Sequence, residues 1–188
     1  MLKKLMGLAL LCFAVNAKAT VINIELDKPS YETNEVISAR FIVDNYQDGL
    51  AGFLLNLSFL TNQLGFIDVT FGRQFTPFSD VNLTTVVNNN GTLYIDEANL
   101  YDNYMDLAAL QQGAITLATV RFTALVTGVH NLNIDNAELW DAVTNGNIQN
   151  FSTNSANILV KAASNPVSAP ASALLLLPAL WFMRRRRV

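Results

Sequence analysis

Apolar and polar residues alternate along most of the chain between Thr20 and Lys161. The longest alternating run is Leu50 to Leu60, and similar runs occupy Glu35 to Asp44 and Ala114 to Val126. Successive side chains of a strand point to opposite sides of the sheet, so a period of two indicates a strand with one buried face. In the first of these runs, the positions predicted to face the core are Phe53, Leu55, Leu57 and Phe59.

Shorter runs with the same pattern predict further strands. They are Val21–Leu26, Leu64–Phe71, Val81–Val87, Thr92–Ala98, Val129–Ile134, Ala137–Trp140 and Ser155–Lys161. Asn90-Gly91 predicts a tight hairpin, because Asn and Gly both accept positive φ. Asp106 to Gln112 is the exception, since it predicts one or two helical turns with Gly113 as the stop.

Short strands separated by frequent turn signals, with no alternation of strands and helices, indicate an all-β fold. We predict an antiparallel β-sandwich or jelly roll of about nine strands. The domain is predicted to span residues 20–161, flanked by a signal peptide and a C-terminal hydrophobic helix. A chain of this length buries enough apolar surface to fold without covalent staples.

Residues 1–19 have the three parts of a secretory signal peptide. Lys3 and Lys4 supply a positive start, an apolar stretch follows, and Ala17-Lys18-Ala19 is a small-residue cleavage site. Cys12 is the one cysteine of the chain and lies within the apolar stretch. We therefore predict export of a mature domain that uses no disulfide.

The C-terminal part divides into a linker with a sorting motif (162–170), an apolar segment (171–183) and a basic tail (184–188). Arginines resist crossing a bilayer, so the tail is predicted to be cytoplasmic and the domain to lie outside. The apolar segment would form a helix of about 20 Å, whereas a bilayer core is about 30 Å thick. Its shortness and Pro178 favour a transient anchor, and the alternative is a permanent single-pass tail anchor.

Val167-Ser168-Ala169-Pro170, the apolar segment and Arg184-Arg185-Arg186-Arg187 follow one another in this order. The arrangement resembles the PEP-CTERM sorting signal of Gram-negative bacteria, in a Val-Ser-Ala-Pro variant. The resemblance implies an exosortase-type processing enzyme as a partner. It also implies a transient stay in the inner membrane and a final location at the cell surface or in the extracellular matrix.

The predicted domain is strongly acidic. It holds all 15 acidic residues of the chain, and its only basic residues are Lys28, Arg40, Arg73, Arg121 and Lys161, which leaves five positive charges against 15 negative ones. A surface with this balance repels phosphate backbones, so nucleic acid is excluded as a partner.

The order of segments resembles that of cohesin domains. Leu50 to Phe59 is similar to the glycine-containing apolar strand of the second sheet, Gln111 to Gly128 to a late alternating strand preceded by glycine, and Ile134 to Asp141 to a hairpin near the end. The resemblance implies a nine-stranded jelly roll that binds a partner and catalyses no reaction. The implied partners are a dockerin-like protein or a polysaccharide.

The sequence offers few groups for catalysis. His130 is the only histidine, so neither a Ser-His-Asp arrangement nor a zinc site can be assembled convincingly. Asp96 and Glu97 could be considered as a glycosidase pair, but neighbouring residues of a strand face opposite ways. We therefore predict a protein that is not an enzyme and has no obligatory cofactor.

Two weaker site hypotheses concern one predicted loop and its flanks. Asp96, Asp102 and Asp106 could supply oxygen ligands to Ca²⁺, the alternative being a solvated acidic loop. Tyr94, Tyr101, Tyr104 and Trp140 could form an aromatic platform for a sugar, the alternative being ordinary packing.

The leading functional hypothesis is an exported binding or adhesion module that contacts carbohydrate or a partner protein. A structural matrix component without a discrete ligand site is the second hypothesis, and a carbohydrate-active enzyme is the third.

Overall fold

The computed structural model describes residues 20–44, 46, 48–74, 82–100, 104–144 and 146–164. The predicted signal peptide, the predicted sorting motif, the apolar segment and the arginines therefore lie outside the described residues. Within the described ranges, no helix is long and apolar enough to cross a bilayer.

The described chain folds into two β-sheets and one short helix. The elements are β1 (Thr20–Leu26), β2 (Tyr31–Glu32), β3 (Val36–Asp44), β4 (Leu50–Ser58), β5 (Leu64–Phe71), β6 (Asn82–Asn89), β7 (Thr92–Asn99), α1 (Tyr104–Leu110), β8 (Ile115–Ala124), β9 (Gly128–Asp141), β10 (Phe151–Thr153) and β11 (Ala156–Lys161). One sheet has the strand order β10-β1-β3-β8-β5, and the other has the order β2-β11-β9-β4-β7-β6.

The hydrophobic core lies between the two sheets. In β4, Phe53, Leu55 and Leu57 are fully buried, as their alternation predicts. From the facing five-stranded sheet, Phe41 and Phe122 are also fully buried. Burying one such side chain stabilises the fold by about 1.5–3 kcal/mol relative to leaving it exposed.

The predicted β-sandwich is confirmed, but its sheets are mixed rather than purely antiparallel. β10 pairs with β1 in parallel, and β2 pairs with β11 in parallel. Both additions are very short strands at sheet edges, and the sequence prediction omitted them. Such strands form because a distant neighbour offers free backbone groups, which local alternation does not reveal.

The prediction of two short strands around Asp135-Asn136 is wrong. β9 runs without interruption for 14 residues. Its register against β4 shifts between Asn56 and Leu57, which pair with Asn136 and Ile134, so Asp135 is the extra residue of a β-bulge. Its side chain accepts a hydrogen bond of 2.8 Å from Ser58. The polar pair marks an irregularity within one strand and not a turn.

The predicted turn and helix are both present. Asn90 and Gly91 have φ values of +48° and +100°, which is the geometry expected of a two-residue hairpin turn between β6 and β7. The helix α1 ends at Leu110, two residues before its predicted end, and Gly113 follows with a φ of +84°. Positive φ at a glycine just after a helix is the usual stop.

Candidate binding face

The six-stranded sheet carries an outer face that is turned away from the core. Its centre is β4, where Gly52, Leu54 and Asn56 alternate with the buried residues. β9 and β7 pair with β4 on either side, and β6 forms the edge beyond β7. We call the exposed side of β9, β4, β7 and β6 the outer face.

The side chain of Trp140 lies across Gly52 on this face. The two residues are paired between β9 and β4. A Cβ atom on Gly52 would lie only 2.6 Å from the Cε3 atom of Trp140, which is far inside van der Waals contact. The missing side chain therefore allows the indole to rest directly on the β4 backbone.

The edge of the outer face is apolar and exposed. Leu83 and Val87 on β6 have 62% and 50% of their surface exposed. Leu54 lies near the centre of the same face and is half-buried. Together with Trp140, these side chains give the face an apolar character, and exposed apolar patches on soluble domains often mark sites of interaction.

Two carboxylates flank Leu54. Asp96 on β7 and Glu138 on β9 are both paired with Leu54, from opposite sides. Partial burial, followed by the nearby charge of Glu138, raises the pKa of Asp96 above its ordinary value. A negative charge at this position is thus unfavourable in the isolated domain, and a nearby cation would relieve the cost.

The structure places two of the four predicted platform residues on the outer face. Tyr94 pairs with Asn56, and Trp140 pairs with Gly52, so they are four residues and two strands apart, or about 17 Å. They belong to one face without forming one stacking surface by themselves. Tyr101 and the side chain of Tyr104 lie outside the described residues.

The predicted calcium ligands are not brought together in the described chain. Asp96 lies on the outer face, Asp106 is exposed in the helix α1, and Asp102 is outside the described residues. Among the described residues, no group of three carboxylates, histidines or cysteines could hold a metal ion. A site completed by Asp102 stays a prediction.

Asp96 and Glu97 point to opposite sides of the sheet, as predicted. Glu97 is fully buried between the sheets, whereas Asp96 lies on the outer face. A glycosidase needs both carboxyl groups to flank one sugar bond. These two cannot meet that requirement.

A buried aspartate fixes the end of β9 just after Trp140. The Oδ1 atom of Asp141 accepts hydrogen bonds from the backbone amides of Val143 and Thr144, at 2.9 and 2.5 Å, and Tyr46 donates to its Oδ2 atom. Burial acts to raise the pKa of Asp141, but these bonds outweigh it and the pKa lies below its ordinary value. The strand that carries Trp140 is therefore firmly terminated.

Gln111 fixes the start of β4 in a similar way. Its side chain is almost fully buried, with 1% of its surface exposed. Its Oε1 atom accepts a hydrogen bond of 2.5 Å from the Leu50 amide, and its Nε2 atom donates one of 3.0 Å to the Leu50 carbonyl. The pairing of β4 with β7 begins only at Gly52. At Leu50, the Gln111 side chain supplies the backbone hydrogen bonds that a further residue of β7 would otherwise make.

His130 is buried within β9, and its Nε2 atom lies 2.5 Å from the carbonyl oxygen of Val126. The contact holds the turn before β9 against the strand. A structural role fits this position better than catalysis, because the ring is buried and does not face open solvent.

The sequence prediction named Tyr94, Asp96 and Trp140, but it missed Leu83, Val87 and Glu138 as members of the outer face. Leu54 was also missed, although the sequence carried a signal for it. It is an apolar residue on the side of β4 whose other residues are small or polar. Leu83 and Val87 are apolar positions of an ordinary strand pattern, and only the pairing of β6 at an edge shows that they are exposed.

No family model matches the sequence, and no curated protein matches it. Solved structures do match the fold. A type II cohesin domain from the cellulosome of Acetivibrio cellulolyticus has a TM-score of 0.65 at 19% identity, covering 75% of this chain and 95% of that domain. A non-cellulosomal cohesin from the archaeon Archaeoglobus fulgidus has a TM-score of 0.58 at 16% identity, covering 78% of this chain and 94% of the archaeal one.

A third similar structure is a type II cohesin–X-dockerin complex from Acetivibrio cellulolyticus. It has a TM-score of 0.64 at 14% identity, with 76% of this chain and 99% of the matched chain covered. Each of these structures is matched over nearly its whole length. The described part of the chain therefore has the fold of a cohesin domain.

Proposed function

We propose that the chain is a non-enzymatic binding module whose outer face binds a dockerin-like partner protein. The observation that carries this proposal is the combination of exposed apolar side chains with two carboxylates around Leu54. Interfaces between proteins commonly place apolar anchors at the centre with charged groups that fix the register.

The charges of the outer face indicate the chemistry of the partner. Asp96 and Glu138 lie close enough for one to raise the pKa of the other. Three basic residues are ion-paired elsewhere: Lys28 lies in the loop after β1, Arg40 on β3 and Arg121 on β8, all outside this face. A partner that places a lysine or arginine between the two carboxylates, surrounded by apolar residues, would complement the face.

The test measures binding of the full-length chain, in mild detergent, to a panel of type I and type II dockerins. Leu54→Glu is expected to weaken binding by about 30-fold or more, because it adds a third negative charge at the centre of the interface. Ile67→Glu is the matched control, since Ile67 is 40% exposed but lies on β5 in the other sheet. Equal loss of binding in both variants, or no dockerin bound at all, would count against the proposal.

Carbohydrate binding is the second candidate, and the observation in its favour is that Tyr94 and Trp140 share the outer face. A glycan array with the same chain tests it. Binding that is lost in both Tyr94→Ala and Trp140→Ala, together with no dockerin bound, would favour the sugar. Binding to neither class would favour a structural matrix component without a discrete ligand site.

We further propose the route to the surface from the sequence alone. Residues 1–19 direct export, and the C-terminal segment holds the chain in the inner membrane until an exosortase-type enzyme processes it. The mass of the protein released from cells tests this route. A released protein whose mass still includes Arg184 to Arg187 would refute processing.

A further inference from the structure

The strand β6 is an outer edge of the six-stranded sheet. In the described part of the chain it pairs only with β7. Asn89 and Thr92 face each other across the two-residue turn and form its closing hydrogen-bonded pair. Hydrogen-bonded and non-bonded pairs then alternate, so Thr84 and Val86 direct their backbone amide and carbonyl groups away from β7.

This edge lacks the usual protection against pairing with another strand. Asn82 to Asn89 reads NLTTVVNN and contains no charged residue and no proline. Residues 83–89 are all exposed. Exposed edges of natural sheets usually carry charges, prolines or bulges that prevent strand addition.

The other sheet edges in the described ranges differ from β6 in charge or length. The edge strand β5 carries Asp68, which is ion-paired with Arg121. β2 has only two residues and includes Glu32, and β10 has only three residues. Among these edges, β6 alone is both eight residues long and uncharged.

We infer that β6 is a self-association edge, at which two copies of this chain join through antiparallel β6–β6 pairing about a two-fold axis. A register centred on Thr85 pairs the outward backbone groups of Thr84 with those of Val86 in the second copy. It places Thr85 opposite itself, Thr84 opposite Val86 and Leu83 opposite Val87 of the second copy. β-Branched and apolar residues opposite each other are favourable cross-strand pairs.

Charge also favours a second copy as the occupant. A neutral strand meets its own copy without like charges across the new ladder. The nearest carboxylate on the outer face is Asp96, which pairs with Thr85. In the dimer, the two Asp96 residues would be three strand spacings apart, about 14 Å, which exceeds the screening length of about 8 Å at physiological salt.

The consequence is a twelve-stranded sheet with two outer faces side by side. A dimer joined in this way would present two copies of the same binding surface in a fixed orientation. This self-association does not depend on what the outer face binds, because the ladder uses backbone groups of the edge.

Disulfide formation tests the pairing and its register. Thr85→Cys in a Cys12→Ser background gives the full-length chain a single cysteine. A non-hydrogen-bonded pair has Cα atoms about 4.5 Å apart, which suits a disulfide. Under mild oxidation in detergent, we expect most of this variant to become a covalent dimer. Asn89→Cys in the same background is the control, because its two copies would lie about 27 Å apart.

A second variant tests association without oxidation. Thr84→Lys brings two lysines to the centre of the ladder, and we expect dimerisation measured by sedimentation to weaken by about tenfold or more. Thr153→Lys, on the exposed edge strand β10, is the matched control and should leave dimerisation unchanged.

A rapid disulfide at Thr85→Cys, or at Val86→Cys if the axis is shifted by one residue, supports pairing of two copies. Equally rapid cross-linking of Asn89→Cys would indicate random collision and overturn it. A chain that sediments as a monomer at every concentration would also overturn it, and the edge would then be covered or used by a different protein.

Discussion

Replacing Gln111 by methionine should destabilise the domain much more than replacing its neighbour Gln112. Gln111 makes both of its hydrogen bonds to the backbone of Leu50 in a buried site. Methionine has a similar length and fills the space, so the change removes the hydrogen bonds with little loss of packing. The Leu50 amide and carbonyl would then be left without these partners.

The magnitude follows from the cost of leaving buried polar groups unpaired, which is about 1–3 kcal/mol for each group. Two groups give about 2–6 kcal/mol, and we expect about 3 kcal/mol if one of them regains a water molecule. A domain of this size loses about 3 °C in melting temperature for each kcal/mol, so the expected shift is about 9 °C.

Urea unfolding of the full-length chain in mild detergent, followed by far-ultraviolet circular dichroism, measures the difference. The midpoint should fall while the dependence on urea concentration stays the same, because the same surface unfolds. Gln112→Met is the matched control. The Nε2 atom of Gln112 donates a hydrogen bond of 2.6 Å to the carbonyl oxygen of Ala108. Because Gln112 is exposed, water can replace this bond in the variant.

A cost of less than about 0.5 kcal/mol for Gln111→Met, the usual range of a surface substitution, would refute a role of the two hydrogen bonds in stability. A cost equal to that of Gln112→Met would refute it as well. Either result would mean that the start of β4 does not depend on the side-chain amide. The anchoring of α1 to the sheet would then have to come from packing alone.

Three further predictions concern the outer face and the hairpin beside it. Gly52→Ala should displace Trp140, lower the unfolding free energy by about 1–3 kcal/mol and weaken partner binding. Gly91→Ala should cost a similar ~1–3 kcal/mol, because φ is +100° and a Cβ atom would lie 2.7 Å from a backbone carbonyl oxygen. Asp96→Asn should stabilise the domain by less than ~1 kcal/mol at pH 7 and have no such effect near pH 3. The raised pKa of Asp96, caused by burial and then by Glu138, means that the folded domain loses stability as this group ionises with rising pH.

The glycine predictions share one control. A Cβ atom on Gly65 would have its nearest neighbours at 3.7 Å, an ordinary contact, so Gly65→Ala should change the melting temperature little. An equal loss in all three glycine variants would contradict the steric argument. For Asp96→Asn, thermal melts at pH 3 and pH 7 decide the matter, and a stabilisation that is the same at both pH values would contradict the electrostatic one.

Local alternation was sufficient to predict the strands of the core. β4 and β8 each have one buried face and one less buried face, so their patterns identify both the strand and the side that faces inward. The Asn90-Gly91 turn was also predictable, because its positive φ values are a local property of those two residues. These features depend on residues that are close in sequence.

The remaining features depend on partners that are distant in sequence. The bulge at Asp135 exists because β9 pairs with β4, and nothing in the local sequence distinguishes it from a turn. The short strand β2 forms only where β11 lies beside it. The outer face was predicted in part, from aromatic and acidic residues, but its apolar edge became visible only once β6 was placed at the end of the sheet.

The position of β11 determines how the domain would respond to mechanical tension. β11 lies between β9 and β2, and Ser164 donates a hydrogen bond of 2.7 Å to Glu32 just beyond its end. A pull on the backbone after Lys161 acts along the strand, at right angles to the ladder that joins Ala156–Val160 to β9. These bonds would share the force in shear and would not open one at a time as in peeling. A domain with this arrangement can hold its shape while one end is tethered and the other surface is under load.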